Sequence, residues 1–432
     1  MPLLLKGGRL VDPSAGLDAV LDLLVGDDGT IAKVGEELKA PAKAEVVECG
    51  GKVVLPGLVD IHTHVREPGR EDEETVASAT RAAAHGGYTA ICAMPNTTPV
   101  ADEGAAIASL ARIVERDAIV RVHPLGAISV GQKGEALAEM GDMVEAGAIA
   151  FSDDGRGVQD AGLMRRAMDY AKLFGAPVVS HCEVESLAGN GVVNEGVVST
   201  RLGLPGIPAA AEEVMVARDI ALAELTRCPL HLAHLSTAGS VELVRAAKAR
   251  GVPVTAEVTP HHLFLTEDDI TAYDTSMKMN PPLRTSEDAA ALLAGLLDGT
   301  IDAIATDHAP HAPQEKELEF ELAPFGTTGL ETALPLVVTN LVERGKAGWA
   351  DVARWMSIGP RACLSRIAPI SLAAGSPADV TVVDPEARVT VGKEWFESRS
   401  KNSAFTGAKL LGKATEVLVG GSFALRHGKV VA

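Results

Sequence analysis

Eight apolar runs rich in β-formers alternate with helical segments along most of this 432-residue chain. The predicted strands are 55–64, 88–94, 118–128, 148–154, 176–183, 229–236, 253–260 and 301–308. Continuous apolar strands that alternate with helices are typical of a parallel sheet covered on both faces. Eight such units favour an α/β fold of the closed (β/α)8 TIM-barrel type, with a doubly wound open sheet as the alternative.

The two ends of the chain have a different pattern. In residues 1–54 and 372–432, short apolar runs are separated by turn sequences such as Gly-Asp-Asp-Gly and Val-Gly-Gly-Ser. We expect both ends to join in one small β-sandwich domain, beside a barrel formed by residues 55–371.

Composition and charge exclude several classes of protein. A formal net charge of −19 argues against nucleic acid or an acidic membrane surface as a partner. No apolar stretch approaches the roughly 20 residues of a membrane span. Five cysteines without paired spacing, and an amino terminus unlike a signal sequence, predict free thiols in a reducing cytoplasm.

Polar side chains cluster at the ends of the predicted strands. His62 and His64 are two positions apart in an extended run, so both imidazoles point to the same face. Active sites of barrels assemble at the carboxyl ends of their strands, and imidazole together with carboxylate suits zinc. The side chains that end or closely follow these strands are His62, His64, Asn96, Asp153, Asp154, His181, His234 and Asp307. We therefore expect a site for one or two zinc ions at one mouth of the barrel.

Several motifs resemble those of the dihydroorotases, a family of the amidohydrolase superfamily. They are Asp-Ile-His-Thr-His-Val-Arg-Glu-Pro-Gly, Ala-Met-Pro-Asn-Thr, Phe-Ser-Asp-Asp-Gly, Ser-His-Cys-Glu, Leu-Ala-His-Leu-Ser, Lys-Met-Asn-Pro-Pro-Leu-Arg and Ala-Thr-Asp-His-Ala-Pro-His. The resemblance extends from about residue 50 to residue 370. It implies reversible cyclisation of N-carbamoyl-L-aspartate to (S)-dihydroorotate, a step of pyrimidine synthesis.

The resemblance also implies the metal ligands. His62, His64 and Asp307 match the ligands of a first zinc ion, and His181 and His234 match those of a second, with two ions favoured over one.

The residue that bridges the two metals is where this chain departs from many relatives. Those relatives use a carbamylated lysine, whereas this chain has no lysine between Gly134 and Met164 and offers Asp153 and Asp154 instead. That departure is similar to the type I dihydroorotases. Asp154 is the expected bridge by motif match, with Asp153 as its neighbour.

Opening a cyclic amide needs a nucleophile and a proton for the leaving nitrogen. Zinc lowers the pKa of water to about 7 and so supplies hydroxide at neutral pH. We expect Asp307 to act as the general base and acid that moves this proton.

Substrate recognition is expected from residues near the metal ligands. The guanidinium of Arg66 can hold a carboxylate through two hydrogen bonds, although Arg66 could instead pair with Glu67 or Glu71. Asn96 could simply cap a loop. The positions that match family contacts to the substrate are His64, Arg66, Asn96, Asn280, His311, Phe325 and Gly326. Residues 312–324 are expected to form a loop that could close over the mouth.

Other functions remain open at this stage. A related allantoinase or hydantoinase would share the superfamily pattern, and a catalytically silent scaffold would serve as a partner of aspartate transcarbamoylase. An active enzyme could also associate with that transcarbamoylase, and we expect a homo-oligomer, a dimer.

Overall fold

The structure is a computed structural model that describes residues 2–431. Its strands are β1 (Leu3–Asp12), β2 (Leu17–Val25), β3 (Ile31–Gly35), β4 (Glu45–Glu48), β5 (Val53–Pro56), β6 (Leu58–Thr63), β7 (Tyr88–Ala93), β8 (Arg121–Pro124), β9 (Phe151–Ser152), β10 (Val178–Ser180), β11 (Val193–Asn194), β12 (Gly206–Ile207), β13 (Leu230–Leu232), β14 (Val254–Val258), β15 (Ala303–Ile304), β16 (Val380–Thr390), β17 (Lys409–Val419), β18 (Ser422–Arg426) and β19 (Lys429–Val430).

The α-helices lie mainly between the strands of the barrel. They are α1 (Val76–Gly86), α2 (Gly104–Asp117), α3 (Met140–Glu145), α4 (Ala161–Lys172), α5 (Glu185–Ala188), α6 (Val197–Leu202), α7 (Ala210–Thr226), α8 (Ala238–Ala249), α9 (Pro260–Phe264), α10 (Ser286–Asp298), α11 (Pro313–Lys316), α12 (Ala333–Val337), α13 (Trp349–Ala353) and α14 (Gly359–Cys363).

Eight short parallel strands form the barrel. Strands β6, β7 and β8 pair in one parallel run, and β9, β10, β13, β14 and β15 pair in another. Parallel bridges from Gly126 to Phe151 and from Thr63 to His308 join the two runs, so the sheet closes. Each of the eight predicted runs contains one of these strands. The (β/α)8 barrel is therefore confirmed, and the open doubly wound sheet is wrong.

The helices begin and end where local residue chemistry directs. The side chain of Thr75 accepts a hydrogen bond from Ser78 N at the start of α1, and Thr285 does the same for Asp288 N at the start of α10. Gly87, with φ 96°, ends α1 in the left-handed conformation that glycine adopts without strain. Gly87 thus ends α1 directly before β7 begins at Tyr88.

The terminal strands form one nine-stranded sheet. Strand β5 pairs with β1 on one side and with β16 on the other, so strands from both ends of the chain meet in the middle of the sheet. Their apolar side chains share one buried cluster that includes Leu10, Leu23, Val54, Val380 and Leu418. The expected small β domain made from both ends is confirmed. The exact limits of this domain stay a prediction. In the structure, β5 of this sheet continues to Pro56, beyond the predicted limit at residue 54.

One segment between β16 and β17 leaves this sheet. Residues 392–408 lie against the barrel, where Phe396 and Phe405 join a buried apolar cluster with Leu283 and Phe320. The carboxyl-terminal part of the chain therefore contributes to the surroundings of the barrel mouth.

Two expectations about environment can be compared with the structure. All five cysteines are buried free thiols. Among residues 2–431, none of the helices has both the length and the apolar character needed to cross a bilayer.

A polar contact joins the barrel to the terminal sheet, and it can be tested. Arg121 of β8 donates to the carboxylate of Asp379 from Nε at 2.8 Å and from Nη2 at 2.9 Å, and Gly420 N donates to the same carboxylate at 2.6 Å. Asp379 is buried. We expect Asp379→Ala to lower the free energy of unfolding by about 1–3 kcal/mol, because three donors lose a buried, charged acceptor. Urea denaturation followed by circular dichroism measures this change.

The matched control is Asp117→Ala, which removes a two-bond partner from Arg116 on the exposed end of α2. An exposed pair contributes little, so this variant should unfold like the parent protein. If Asp379→Ala and Asp117→Ala had the same free energy of unfolding, that result would contradict a structural role for the Asp379 contact.

Candidate active site

The first and last barrel strands bring three predicted ligands together. His62 lies in β6, His64 follows it, and Asp307 follows β15. His64 Nε2 lies 3.1 Å from Asp307 Oδ1, and His62 Nε2 lies 3.6 Å from the same oxygen. These three side chains form a group whose ligand atoms could hold one metal ion.

Asp154 lies between this group and the other two histidines. Its Oδ1 is 3.3 Å from His62 Nε2, 3.5 Å from His181 Nδ1 and 3.4 Å from His234 Nε2. Its Oδ2 is 3.4 Å from His64 Nε2. One carboxylate thus faces all four histidines, which is the geometry of a bridging ligand.

The neighbouring Asp153 faces away from the histidines. Its carboxylate accepts hydrogen bonds from Ile128 N at 2.8 Å, from Ser129 N at 3.0 Å and from the Ser129 hydroxyl. Asp153 therefore holds the loop that follows β8, and Asp154 is the aspartate of the cluster.

The hydrogen bonding of this cluster and the distances between its polar atoms both fit a bound cation. His62 Nε2 and Asp154 Oδ1 are buried and have no hydrogen-bond partner among the described residues. A buried polar atom without a partner costs about 1–3 kcal/mol, and a bound metal would satisfy both atoms. Tetrahedral zinc with bonds of about 2.0–2.1 Å keeps its ligand atoms about 3.3–3.4 Å apart, close to the separations observed here.

The charges within the cluster act on one another. Burial alone would lower the pKa of His62, but the carboxylates of Asp154 and Glu257 outweigh burial and raise it well above the ordinary value. Burial would raise the pKa of Asp307, yet the hydrogen bond from His64 and the charges of His62 and His64 lower it. The carboxylates of Asp154 and Asp307 are therefore ionised, as metal ligands must be, whereas His62 would have to give up its Nε2 proton to a metal.

A buried glutamate that the sequence interpretation missed orients His62. Glu257 of β14 contacts His62 Nδ1 at 2.7 Å through Oε1 and His231 Nε2 at 3.0 Å through Oε2. A carboxylate on the far nitrogen of a ligand histidine sets its tautomer and leaves Nε2 free for the metal. The signal in the sequence is a charged residue within an otherwise apolar strand.

Three site residues adopt the left-handed backbone conformation. The φ angles are 62° for Arg66, 33° for His234 and 47° for Asp307. Residues other than glycine rarely adopt this conformation, and such strain is concentrated at functional sites.

A cavity of about 180 Å³ lies beside the cluster. All seven residues predicted to contact substrate line it, namely His64, Arg66, Asn96, Asn280, His311, Phe325 and Gly326. The predicted metal ligands Asp154, His181, His234 and Asp307 line it as well. The structure thus brings the predicted ligands and the predicted substrate contacts to one place.

Arg66 does not pair with either of the glutamates considered from the sequence. Glu67 accepts from Val76 N and Glu71 from Gly69 N, each at 2.8 Å. The charged partner of Arg66 is the buried Glu73, at 3.1 Å from Arg66 Nε, and the same Nε donates to Pro310 O at 3.1 Å.

Glu73 also contacts His311 Nδ1 at 2.8 Å, so one carboxylate holds two of the predicted substrate contacts, Arg66 and His311. Burial and the charge of Arg66 lower the pKa of His311 to about 3. The ring is therefore neutral, and it can donate only one proton, either to Glu73 or to the Phe325 carbonyl 2.7 Å from Nε2.

The two asparagines occupy different environments. Asn96 Oδ1 lies 2.9 Å from His64 Nδ1, so Asn96 orients a ligand histidine as well as lining the cavity, and it is more than a loop cap. Asn280 Oδ1 is buried without a hydrogen-bond partner in the described chain and lines the cavity. Asn280 thus offers a free acceptor to a ligand.

The loop after the last barrel strand contains one short helix, α11. Lys316 Nζ donates to Pro324 O at 2.8 Å, and Lys278 Nζ donates to Glu321 O at 2.9 Å. Burial lowers the pKa of Lys316 to about 7 and that of Lys278 to about 8. These contacts hold the loop beside the cavity.

Comparison with known proteins gives consistent relatives. Residues 51–240 match the model of the family described as Dihydro-orotase-like. A dihydroorotase of Pelotomaculum thermopropionicum is 53% identical over 421 residues, which cover 98% of each chain. A dihydroorotase of Geotalea daltonii is 51% identical over 421 residues, again with 98% of each chain covered.

Solved structures share the whole fold at lower identity. The L-hydantoinase (dihydropyrimidinase) of Arthrobacter aurescens superposes with a TM-score of 0.89 at 25% identity, covering 100% of this chain and 97% of its own. The D-hydantoinase (dihydropyrimidinase) of a Thermus species gives a TM-score of 0.86 at 26% identity, covering 100% and 96%. On the identity and coverage of its relatives, the chain belongs to the dihydroorotase family of the amidohydrolase superfamily.

Proposed function

We propose that this protein is a zinc-dependent dihydroorotase of the type I kind, which interconverts N-carbamoyl-L-aspartate and (S)-dihydroorotate in pyrimidine synthesis. The observation that carries the proposal is a single cavity in which Arg66 lies beside a buried histidine and aspartate cluster. That combination suits a cyclic amide that bears a carboxylate. Relatives about half identical over nearly the full chain are named dihydroorotases.

The residues would hold two metal ions. His62, His64 and Asp307 would bind one and His181 and His234 the other, with Asp154 between them. When bound, zinc supplies hydroxide at neutral pH and polarises the scissile carbonyl.

Asp307 moves the proton. Its pKa lies below the ordinary value, so the carboxylate is ionised at neutral pH and can accept the proton of the attacking hydroxide. It then gives this proton to the ring nitrogen as the amide bond breaks. In the cyclisation direction the same carboxylate takes the proton from the attacking carbamoyl nitrogen.

Arg66 would hold the substrate carboxylate, with Asn96 and His311 beside it. A chain with net charge −19 needs local cations to attract an anionic substrate, and the guanidinium of Arg66 supplies one at the cavity wall. The backbone of Phe325 and Gly326, together with Asn280, would contact the ring.

Two other functions are less consistent with these observations. Hydantoinases are the structural neighbours, but at about a quarter identity. A silent scaffold does not need a complete set of ligands, and this chain retains all six. Ring opening measured side by side on dihydroorotate, hydantoin and allantoin tests the assignment, and preference for either of the last two would overturn it.

Assembly and location stay predictions. We expect a homodimer in the cytoplasm that can associate with aspartate transcarbamoylase. Gel filtration with light scattering, with and without that enzyme, measures both associations.

The role of Asp307 can be tested by an isosteric change. Asp307→Asn keeps the shape but cannot accept the proton, so we expect kcat to fall by at least about 10³-fold. Metal content measured in the same preparation separates the two roles of this residue. Full metal with lost turnover supports proton transfer, whereas wild-type turnover would remove Asp307 as the base.

Arg66→Met should chiefly raise KM for dihydroorotate, by roughly 10–100-fold, because it removes a charged partner of the substrate carboxylate. The matched control is Arg81→Met, which alters a partly exposed arginine paired with Glu397. Steady-state kinetics on both variants measure the effect. An unchanged KM in Arg66→Met would contradict the assignment of the carboxylate anchor.

Removal of the metal should affect both activity and stability. Dialysis against a chelator is expected to abolish turnover and lower Tm, since a ligand that binds only the folded state stabilises it. Zinc titration should restore both, with two ions bound per chain. Full activity in protein shown to be free of metal would overturn the metal-dependent mechanism.

A further inference from the structure

The carboxyl-terminal segment reaches the candidate active site through one side chain, that of Asn402. This residue lies between β16 and β17, beyond the last barrel strand, and is only 8% exposed. Its amide contacts both parts of the connection between β15 and α12 that line the cavity. They are the loop before α11, which carries His311, and the loop after α11, which carries Gly326.

Every hydrogen-bonding group of this amide is used. Oδ1 accepts from His311 N at 3.1 Å, and Nδ2 donates to Ala309 O at 3.1 Å and to Gly326 O at 3.2 Å. The orientation of the amide follows from its partners, because a backbone N–H can only donate and two carbonyls can only accept.

The backbone of Asn402 strengthens the same connection. Its carbonyl accepts from Thr328 N at 2.9 Å and from the Thr327 hydroxyl at 3.1 Å. Thr327 Oγ1 in turn accepts from Ala404 N at 2.9 Å. The backbone of Asn402 is thus held by the same loop that carries Gly326.

The two loops leave little space between them. A Cβ on Gly326 would lie 2.7 Å from the Cβ of Ala309 and 2.9 Å from His311 Nε2, and φ there is 138°. Ala309 N donates to Thr327 O at 2.9 Å directly between the loops, and the Asn402 amide adds three hydrogen bonds that hold both backbones together.

We infer that Asn402 is a positioning residue for substrate recognition, which holds His311 and Gly326 at the separation that the substrate ring and carboxylate require. Asn402 lines no part of the cavity wall and acts through these two residues. The inference rests on the proposed function, since it assigns the two loops to substrate binding.

The decisive experiment compares Asn402→Ala with Asn340→Ala under dihydroorotate turnover. Asn340 makes one comparable amide contact, to Leu336 O at 3.0 Å, in a helical segment away from the cavity. We expect Asn402→Ala to raise KM at least tenfold with kcat changed less than threefold and metal content unchanged. A higher KM with little change in kcat is the result of losing binding energy equally from the ground state and the transition state. The control should keep the parent KM.

A purely structural role predicts a different result, namely a lower Tm with an unchanged KM, and that result would overturn the inference. If Asn402→Ala does not fold, Thr327→Val provides the second variant, because it deletes only the hydroxyl that ties the Asn402 backbone. We expect a KM increase of severalfold there, and parent KM would count against the proposal.

Hydrogen exchange separates this inference from the proposed function. The amides of 309–312 and 325–328 should exchange faster in Asn402→Ala than in the parent or in Asn340→Ala. If the parent protein does not open dihydroorotate, the proposed function fails and exchange alone tests the positioning. Unchanged exchange in both segments would refute it.

Discussion

Closure of the barrel is the constraint on which the site depends. Thr63 and His308 pair across the seam between the first and last barrel strands. That seam brings His64 within 3.1 Å of Asp307, although 243 residues separate them in the chain. A sheet left open at this edge would hold His62 and His64 at one end and Asp307 at the other. The fold and the chemistry thus depend on the same few backbone contacts.

Buried carboxylates outside the ligand set stabilise that seam and the side chains near it. Asp60 of β6 accepts from His62 N at 3.2 Å, from Thr306 N at 3.1 Å and from the Thr306 hydroxyl, so it joins the strands on both sides of the closure. Glu257 contacts His62, and Glu73 forms an ion pair with Arg66. Each such carboxylate tolerates burial because donors surround it.

The sequence predicts the barrel and the cluster of polar side chains at its mouth for a physical reason. Each strand is a short apolar run, and each ligand comes at or just after the carboxyl end of such a run, so local pattern and site coincide. The partners of those ligands leave no comparable pattern. Glu73 contacts His311 across 238 positions, and Asn402 contacts Ala309 across 93. Neither contact has a periodicity that reveals it. The sequence likewise offers several glutamates close to Arg66, and no local pattern distinguishes Glu73 among them.

The path of the carboxyl-terminal segment sets an order of events during synthesis. Strand β16 pairs with β5 in the middle of the terminal sheet, and the chain then crosses the barrel mouth before β17. A nascent chain can close its barrel once β15 has emerged from the ribosome. The segments that carry His311 and Gly326 stay without their Asn402 contacts until almost a hundred further residues have been added. These contacts can therefore form only after all eight barrel strands have been made.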